Sequence, residues 1–264
     1  MAEFTAKDVQ TLRQATGAGM MDSKKALTEN DGDFERAKKW LREQGLTKAS
    51  DRSGRANTQG AVAVSTTGNV AAIADLKSET DFVAKSDQFT SLVQEIATLV
   101  AAKGDDAAAE KADAIDDLKL VLKENIALGQ VVRLEGADGH VVDTYVHRQD
   151  GRGVNAVAVE LDAGTPELAH EIAVHIAFTR PAYLRREDVP EAEMAEERET
   201  LANITRAEGK PEAAMDKIVT GRLNGWLKER VLLEQAYVKD EKRSISQLLG
   251  DASIVRFAQV AIGG

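Results

Sequence analysis

A strand–strand–helix pattern occurs twice in this chain, and it constrains the fold more than any other feature of the sequence. The first copy begins at Gly60-Ala-Val-Ala-Val and the second at Gly139-His-Val-Val, and each continues through a polar turn into a second apolar strand. Each copy then enters a helix with the shared pattern Leu-x-x-Glu-Ile-Ala, at Leu92–Ala97 and at Leu168–Ala173. The repeat predicts an α+β fold with two related halves, each combining a small antiparallel sheet with a helix.

The two copies differ in the connection between the second strand and the helix. Sixteen positions separate Leu76 from Leu92 in the first copy, whereas seven separate Leu161 from Leu168 in the second. A scaffold needs only a short connection at this point. An extension in one copy alone therefore indicates a segment that is presented for binding.

The extended connection contains the hexapeptide Thr-Asp-Phe-Val-Ala-Lys at residues 80–85. Its Phe82 fits neither the alternation of the preceding strand nor the apolar stripe of the following helix, and the carboxylate of Asp81 is its direct neighbour. These residues alone leave two interpretations open. Phe82 packs as a hydrophobic staple at a helix start, or it is offered to a groove in another protein.

The first part of the chain is predicted to form a three-helix domain over residues 1–46. Each helix has an apolar face and a polar residue before it that can act as an N-cap. The three caps are expected at Thr5, Asp22 and Asp33. Residues 47–60 have no apolar period and are predicted to form a linker.

The rest of the chain is expected to form two core subdomains, the first over residues 61–138 and the second over residues 139–264. Two charged helices with narrow apolar stripes meet at Gly209-Lys210-Pro211 and predict an antiparallel coiled-coil hairpin, inserted in the second subdomain over residues 187–229. Such a hairpin either joins two copies of the chain as a homodimer or packs on its own domain, and the sequence leaves both open. A strand over residues 254–260 is expected to complete the second subdomain.

Composition limits the partners of this chain. The formal net charge is −10 and there are no cysteines, which excludes disulfides and thiolate metal sites and suits a reducing cytoplasm. An acidic body argues against broad nucleic-acid binding, because phosphate neutralisation needs a dense cationic face. No apolar run approaches the roughly 20 residues that span a bilayer. We therefore expect a cytoplasmic protein that binds neither nucleic acid nor membrane.

Patterns of catalytic chemistry are missing from the sequence. There is no phosphate-binding Gly-x-x-x-x-Gly-Lys-Ser/Thr loop. His170 and His175 suggest a zinc site, but five positions along a helix place them about 140° apart, too far around it to share one metal. A metal-dependent hydrolase therefore rests only on this mis-spaced pair, and the sequence predicts no cofactor, no metal site and no enzyme. An adaptor, in which the three-helix domain binds a partner and the core is a scaffold, stays open.

Two long segments carry a family resemblance. The first is Leu12–Leu27, which includes the turn Thr16-Gly17-Ala18-Gly19, and the second is Glu79–Lys85. Together, in this order and at this separation, they resemble bacterial translation elongation factor Ts, and the resemblance covers essentially the whole chain. It implies a guanine-nucleotide exchange factor for elongation factor Tu, the GTPase that delivers aminoacyl-tRNA to the ribosome. The implied fold is a ubiquitin-associated-like three-helix domain, two related α+β core subdomains and an inserted coiled-coil hairpin linked to dimerisation.

The same resemblance implies a role for part of the hexapeptide. Four of its residues match the family segment that enters the GTPase domain and dislodges the Mg²⁺ of the bound nucleotide. These residues are Thr80, Asp81, Phe82 and Val83. Because Mg²⁺ demands strict octahedral geometry, a small displacement of its ligands weakens its binding sharply.

Further contacts with the GTPase are implied outside the hexapeptide. Arg13, Met20 and Met21 match the N-terminal segment of the family that docks on the GTPase domain. His147 matches a contact made by the second subdomain, although residues 148–155 depart from the usual turn that follows it.

Overall fold

The computed structural model describes residues 4–50 and 52–263, and it combines helices with small antiparallel sheets in an α+β fold. The helices are α1 (Ala6–Thr16), α2 (Met20–Glu29), α3 (Phe34–Ser50), α4 (Asp81–Ala84), α5 (Asp87–Lys103), α6 (Ala112–Leu122), α7 (Pro166–Thr179), α8 (Glu191–Ala207), α9 (Met215–Arg230) and α10 (Ile245–Leu249). The strands are β1 (Gln59–Thr67), β2 (Val70–Ser78), β3 (Ala127–Glu135), β4 (Val141–Gln149), β5 (Arg152–Leu161), β6 (Ala236–Tyr237), β7 (Asp240–Ser244) and β8 (Ile254–Ala261).

The three predicted N-terminal helices are confirmed, and two of them begin at the predicted caps. Thr5 Oγ1 accepts a hydrogen bond from the Asp8 amide at 3.3 Å, and the Asp8 carboxylate accepts one from the Thr5 amide at 2.7 Å, which forms a capping box. At the start of α3, Asp33 Oδ1 accepts a hydrogen bond from the Arg36 amide at 2.9 Å. The helix α1 ends where Gly17 adopts a left-handed conformation that favours glycine.

The predicted cap at Asp22 is wrong. The helix α2 begins at Met20, and Gly19 occupies the cap position without a side-chain hydrogen bond. The chain turns into the helix directly after the glycine turn, so Asp22 lies inside the first helical turn. A carboxylate there still interacts favourably with the positive end of the helix dipole.

The segment predicted as a linker, residues 47–60, is partly regular. It contains the end of α3 and the start of β1. Between them, the side-chain amide of Asn125 donates hydrogen bonds to the carbonyl oxygens of Ser53 at 3.1 Å and Arg55 at 2.7 Å. This part of the chain is therefore tied to the loop that follows α6.

Two three-stranded antiparallel sheets lie at the centre of the molecule, in the orders β1-β2-β3 and β4-β5-β8. The helix α5 packs on the first sheet and α7 on the second. Buried apolar residues from both sheets also pack against each other, among them Ile73 and Ala158. Each helix-covered face and the face between the sheets therefore has its own apolar core.

The strand β3 was not predicted, whereas β8 confirms the strand expected over residues 254–260. Most positions in β3 are only partly buried, so the strand has no clear alternation of apolar and polar residues. Ile126 lies between the end of α6 and the start of β3, where it is fully buried. The segment forms a strand because it pairs with β2, and that pairing joins residues far apart in the sequence.

The extra residues of the first repeat copy are distributed over three places. The strand β2 continues beyond Leu76, the connection at residues 79–86 is longer than its counterpart at residues 162–165, and α5 begins further ahead of Leu92. The short helix α4 lies inside the longer connection. Only part of the length difference therefore belongs to the presented segment.

The helices α8 and α9 pack against each other. The guanidinium group of Arg222 on α9 donates hydrogen bonds to Thr205 Oγ1 at 3.1 Å and to the Glu208 carboxylate at 2.6 Å. Leu227 and Val231 are fully buried in an apolar cluster at the end of this pair. In the described part of the chain, we find no helix with the length and apolarity needed to cross a membrane.

Candidate partner-binding site

The segment Thr80–Val83 forms a single helical turn with its aromatic side chain directed outward. Thr80 caps α4, and its Oγ1 accepts a hydrogen bond from the Val83 amide at 3.3 Å. Val83 and Ala84 are buried in the core between the first sheet and α5. Phe82, by contrast, leaves 84% of its surface exposed. The interpretation of Phe82 as a hydrophobic staple is therefore wrong.

A lysine bridges the segment to the second sheet. Lys85 Nζ lies 2.6 Å from Asp81 Oδ2 and 3.3 Å from Asp150 Oδ2 in the turn between β4 and β5. The hydrogen bond from Lys85 lowers the pKa of Asp81, and the same bond raises the pKa of Lys85. Both groups are thus held in their charged forms at neutral pH, and Asp81 presents an ionised carboxylate beside the exposed ring.

A polar recess of about 490 Å³ opens beside Asp81. Its lining comes from β1, the connection before α5 and the hairpin of β4 and β5: Gln59, Glu79, Thr80, Asp81, Gln149, Asp150 and Arg152. The buried guanidinium group of Arg152 donates hydrogen bonds to the Gly60 carbonyl at 2.7 Å and to Gln59 Oε1 at 3.1 Å. The base of the recess is therefore fixed by contacts between the two sheets.

The other residues singled out in the sequence are all on the surface. Arg13 is exposed near the end of α1, and Met20 and Met21 are exposed at the start of α2. His147 is exposed on β4, at an irregularity in the register with β5. His147 lies on the strand that leads to Asp150, so the Lys85 ion pair connects its hairpin to the Thr80–Val83 segment.

The helix α6 lies close to both the N-terminal candidate residues and the connection that carries Phe82. A side chain at Gly17, between Arg13 and Met20, would lie 3.6 Å from Val121 Cγ2 on α6. The carboxylate of Glu124, just beyond the end of α6, accepts hydrogen bonds from the connection that carries Phe82. The helix α6 therefore lies between the two groups of exposed residues.

The two helical histidines have separate structural roles. His170 is partly exposed, and its Nδ1 lies 2.8 Å from Asp143 Oδ2. His175 is fully buried, its Nε2 lies 2.9 Å from Gln235 Oε1, and burial lowers its pKa. Across residues 4–50 and 52–263, no group of three or more His, Asp or Glu side chains is arranged to hold a metal ion.

Sequence reasoning missed three residues of this site: Lys85, Asp150 and Glu124. Lys85 could have been found, because it follows Asp81 by four positions and side chains with this spacing meet on one helix face. Asp150 and Glu124 gave no signal. They lie far from the hexapeptide in sequence and reach it only in the folded chain.

An exposed aromatic ring on an anchored turn, beside an ionised carboxylate, is typical of a protein that acts by binding another protein. A model of the family described as "Elongation factor TS" matches residues 79–264. Over the full length of both chains, this chain is 41% identical to elongation factor Ts of Beutenbergia cavernae and 43% identical to that of Clavibacter michiganensis subsp. michiganensis. The elongation factor Ts of Acidothermus cellulolyticus is also 43% identical, with 99% of its length covered.

This chain belongs to the elongation factor Ts family. It is a guanine-nucleotide exchange factor for elongation factor Tu and acts in translation elongation. It is not an enzyme, because exchange replaces one bound nucleotide by another without making or breaking a covalent bond.

Proposed function

We propose that this chain releases GDP from elongation factor Tu by inserting Phe82 and its neighbours beside the Mg²⁺ of the bound nucleotide. The observation that carries the proposal is the contrast within one turn of helix, where Phe82 is 84% exposed and the adjacent Val83 is buried. Val83 anchors the turn, and Phe82 is the wedge. Burying the ring in the partner contributes on the order of 1.5–3 kcal/mol.

The charged neighbours of the Phe82 ring suit the segment to act on the Mg²⁺ bound in the partner. The hydrogen bond from Lys85 lowers the pKa of Asp81 further below neutral pH, so the Asp81 carboxylate enters the partner as a negative charge close to the nucleotide's Mg²⁺. A charge and a ring inserted there displace the ligands of an ion that tolerates little distortion of its octahedral shell. Thr80 caps the turn and fixes the direction in which Phe82 leaves it.

The remaining candidate residues dock the partner around this wedge. Met20 and Met21 are 48% and 74% exposed, and flexible thioether side chains adapt to an irregular protein surface. We assign Arg13 to the same contact and His147 to a second contact through the hairpin of β4 and β5. Docking at several points would hold the partner while the wedge enters.

Exchange then follows from the coupling of two binding events. If the bound exchange factor weakens GDP affinity by some factor, GDP weakens the affinity for the exchange factor by the same factor. The ternary complex is therefore short-lived. The nucleotide that is abundant rebinds and expels the exchange factor.

We also propose the domain organisation implied by the family. A ubiquitin-associated-like domain occupies residues 1–46 and a linker residues 47–60. Two core subdomains occupy residues 61–138 and 139–264, and a coiled-coil hairpin at 187–229 is inserted in the second. The packing of α8 on α9 supports the hairpin, and its role in forming a homodimer is part of the proposal. We further propose a cytoplasmic protein that does not bind nucleic acid directly.

The wedge is tested by following the release of a fluorescent GDP analogue from elongation factor Tu. We expect Phe82→Ala to lower the accelerated rate roughly 10- to 100-fold, which corresponds to the loss of the buried ring. Phe178→Ala is the matched control, because Phe178 is 78% exposed and lies outside the segment on α7. Equal rates for wild type and Phe82→Ala would refute the wedge, and no acceleration by the wild type would refute the function itself.

The displacement of Mg²⁺ is tested separately by varying the free Mg²⁺ concentration. We expect the rate difference between wild type and Phe82→Ala to shrink as Mg²⁺ is removed with a chelator, because the wedge then has no ion to displace. A constant ratio of rates across the titration would show that Phe82 acts on GDP binding by another route.

The hairpin is tested by deleting residues 190–228 and measuring the mass in solution. The homodimer proposal predicts that the intact chain has twice the mass of one copy and the deletion variant the mass of one. Equal association states for both chains would remove the hairpin from the dimer contact.

A further inference from the structure

We propose that Glu124 is a positioning residue for the exchange reaction, which holds the Thr80–Val83 segment in the conformation that enters the partner. The proposal rests on the proposed function of that segment. Glu124 is not part of the hexapeptide and lies beyond the end of α6. It acts through the segment and is not assigned a contact with the nucleotide or its metal.

One carboxylate accepts three hydrogen bonds from the connection. Glu124 Oε2 accepts from the backbone amides of Glu79 at 3.0 Å and Thr80 at 3.1 Å, and Oε1 accepts from Thr80 Oγ1 at 2.6 Å. Hydrogen bonds to an ionised acceptor are shorter and about twice as strong as those between neutral groups. The Glu124 carboxylate therefore holds Glu79 and Thr80 in place at the point where the chain leaves β2.

The hydroxyl group of Thr80 passes this constraint to the helical turn. It donates to Glu124 and at the same time accepts a hydrogen bond from the Val83 amide at 3.3 Å. Phe82 lies between these two residues in the sequence. Fixing both Thr80 and the buried Val83 leaves the Phe82 ring as the free end of a rigid turn.

Glu124 is itself held in place from the other side. Lys123 caps the end of α6 in a left-handed conformation, which turns the chain toward the connection. The backbone amide of Asn125 then donates a hydrogen bond to Glu79 Oε1 at 2.7 Å. Glu79 therefore donates a hydrogen bond to Glu124 and accepts one from Asn125. These bonds hold together two segments that are 44 to 46 positions apart in the sequence.

A preorganised segment should affect the insertion step more than the docking step. If the contacts at Met20, Met21 and His147 dock the partner, the loss of Glu124 leaves docking intact. The Thr80–Val83 segment then samples conformations in which it cannot enter the partner, so that only a fraction of docked complexes releases GDP. The expected signature is a lower maximal rate at an unchanged half-saturating concentration.

The test measures release of fluorescent GDP from elongation factor Tu over a range of concentrations of the full-length exchange factor. We expect Glu124→Ala to lower the maximal rate about tenfold and to move the half-saturating concentration less than about twofold. Asp116→Ala is the matched control, because Asp116 is a carboxylate on α6 that pairs only with Lys119 in the described part of the chain. Glu124→Gln should recover much of the rate, since its amide can accept from both backbone donors and donate to the Thr80 hydroxyl.

Combining substitutions separates this proposal from the wedge. If Glu124 acts through Phe82, the double variant Glu124→Ala/Phe82→Ala should be no slower than Phe82→Ala alone. In the free protein, the amides of Glu79 and Thr80 should exchange hydrogen for deuterium faster in Glu124→Ala. If that variant does not fold, Glu124→Asp carries the test, and a loss of at least about threefold is expected because its carboxylate is set back by one methylene.

Three results would overturn the positioning role. In the first, the maximal rate of Glu124→Ala, or of Glu124→Asp in its place, equals that of the wild type. In the second, Glu124→Ala and Asp116→Ala lower the maximal rate equally. In the third, the double variant is slower than Phe82→Ala by the full factor that the single Glu124 substitution causes. Each leaves the wedge standing, because the wedge is tested by Phe82→Ala and by the Mg²⁺ titration and not by the substitutions of Glu124.

Discussion

The strands β2 and β5 occupy equivalent places in the two repeat copies, and both contain a buried carboxylate followed by leucine. These pairs are Asp75-Leu76 and Glu160-Leu161, and each carboxylate residue is 2% exposed. Strand pairing is irregular at both positions, between β2 and β3 and between β5 and β8. The backbone plan is therefore shared down to this detail, and the differences lie in what surrounds each carboxylate.

The carboxylate of the second copy has partners on two sides. Glu160 lies 2.7 Å from His140 Nδ1 and 2.7 Å from Arg256 Nε. Burial alone would raise the pKa of Glu160, but hydrogen bonds from His140 and Arg256 outweigh it and leave the pKa below its ordinary value. Arg256 also donates to the Glu135 carbonyl on β3 at 2.7 Å, so this cluster ties the second sheet to the first.

The carboxylate of the first copy lacks such partners. Asp75 accepts a hydrogen bond from the Gln130 amide, and within the described residues it forms no ion pair. Burial raises its pKa, and the hydrogen bond and the charge of Lys77 offset this only in part. In the copy that contains the Thr80–Val83 segment, burial therefore disfavours the charged form of the carboxylate, whereas the carboxylate of the other copy belongs to a stabilising cluster.

Removing the charge of the second copy should have the largest effect on stability. We expect Glu160→Gln to lower the free energy of unfolding by about 3 kcal/mol at pH 7, because the buried side chain loses its charge and with it the charge-assisted hydrogen bonds from His140 and Arg256, which are themselves partly exposed. The pKa of Glu160 is lowered, so its stabilisation is present above the ordinary glutamate value and is lost as the pH falls through the lowered one. Urea unfolding at pH 7 and near pH 3.5 should show the deficit shrinking at the lower pH.

The connections that follow the two strands should also differ. We expect Val83→Ala to cost about 2 kcal/mol of stability, because it removes a buried side chain under the segment, and also to slow GDP release. In the shorter connection, Thr165 Oγ1 accepts a hydrogen bond from the Leu168 amide at 3.3 Å. Its replacement by alanine should cost about 1 kcal/mol and leave the exchange rate unchanged. Urea unfolding and GDP release measured on both variants decide whether the connections differ in function; equal exchange rates would show that they do not.

The smallest effect should have the opposite sign. We expect Asp75→Asn to raise the free energy of unfolding by about 1 kcal/mol at pH 7, because the penalty for burying the charge is removed. A raised pKa in the folded state means that stability falls as the pH rises from 3.8 through that value. The gain should therefore vanish below about pH 3.8 in thermal unfolding. A destabilising Asp75→Asn would erase the contrast between the two copies.

Local patterns in the sequence determined much of this fold. The periodicity of apolar residues predicted the three N-terminal helices and the helices that cover the two sheets, because helix spacing is visible within a few turns. The repeated Leu-x-x-Glu-Ile-Ala pattern located the equivalent strand–strand–helix units. The two long motifs resemble the elongation factor Ts family, to which the chain belongs.

Tertiary structure alone decided which side chain of the Thr80–Val83 segment is exposed. Whether Phe82 packs inward or stands exposed depends on which neighbours fill the core, and buried Val83 and Phe89 leave the ring outside. The hydrogen bonds that Glu124 accepts from the connection join residues far apart along the chain, and so do the ion pair of Lys85 with Asp150 and the pairing of β3 with β2. The helix and strand propensities of neighbouring residues do not predict such contacts. They form only when the whole chain brings its sheets, turns and helix ends together.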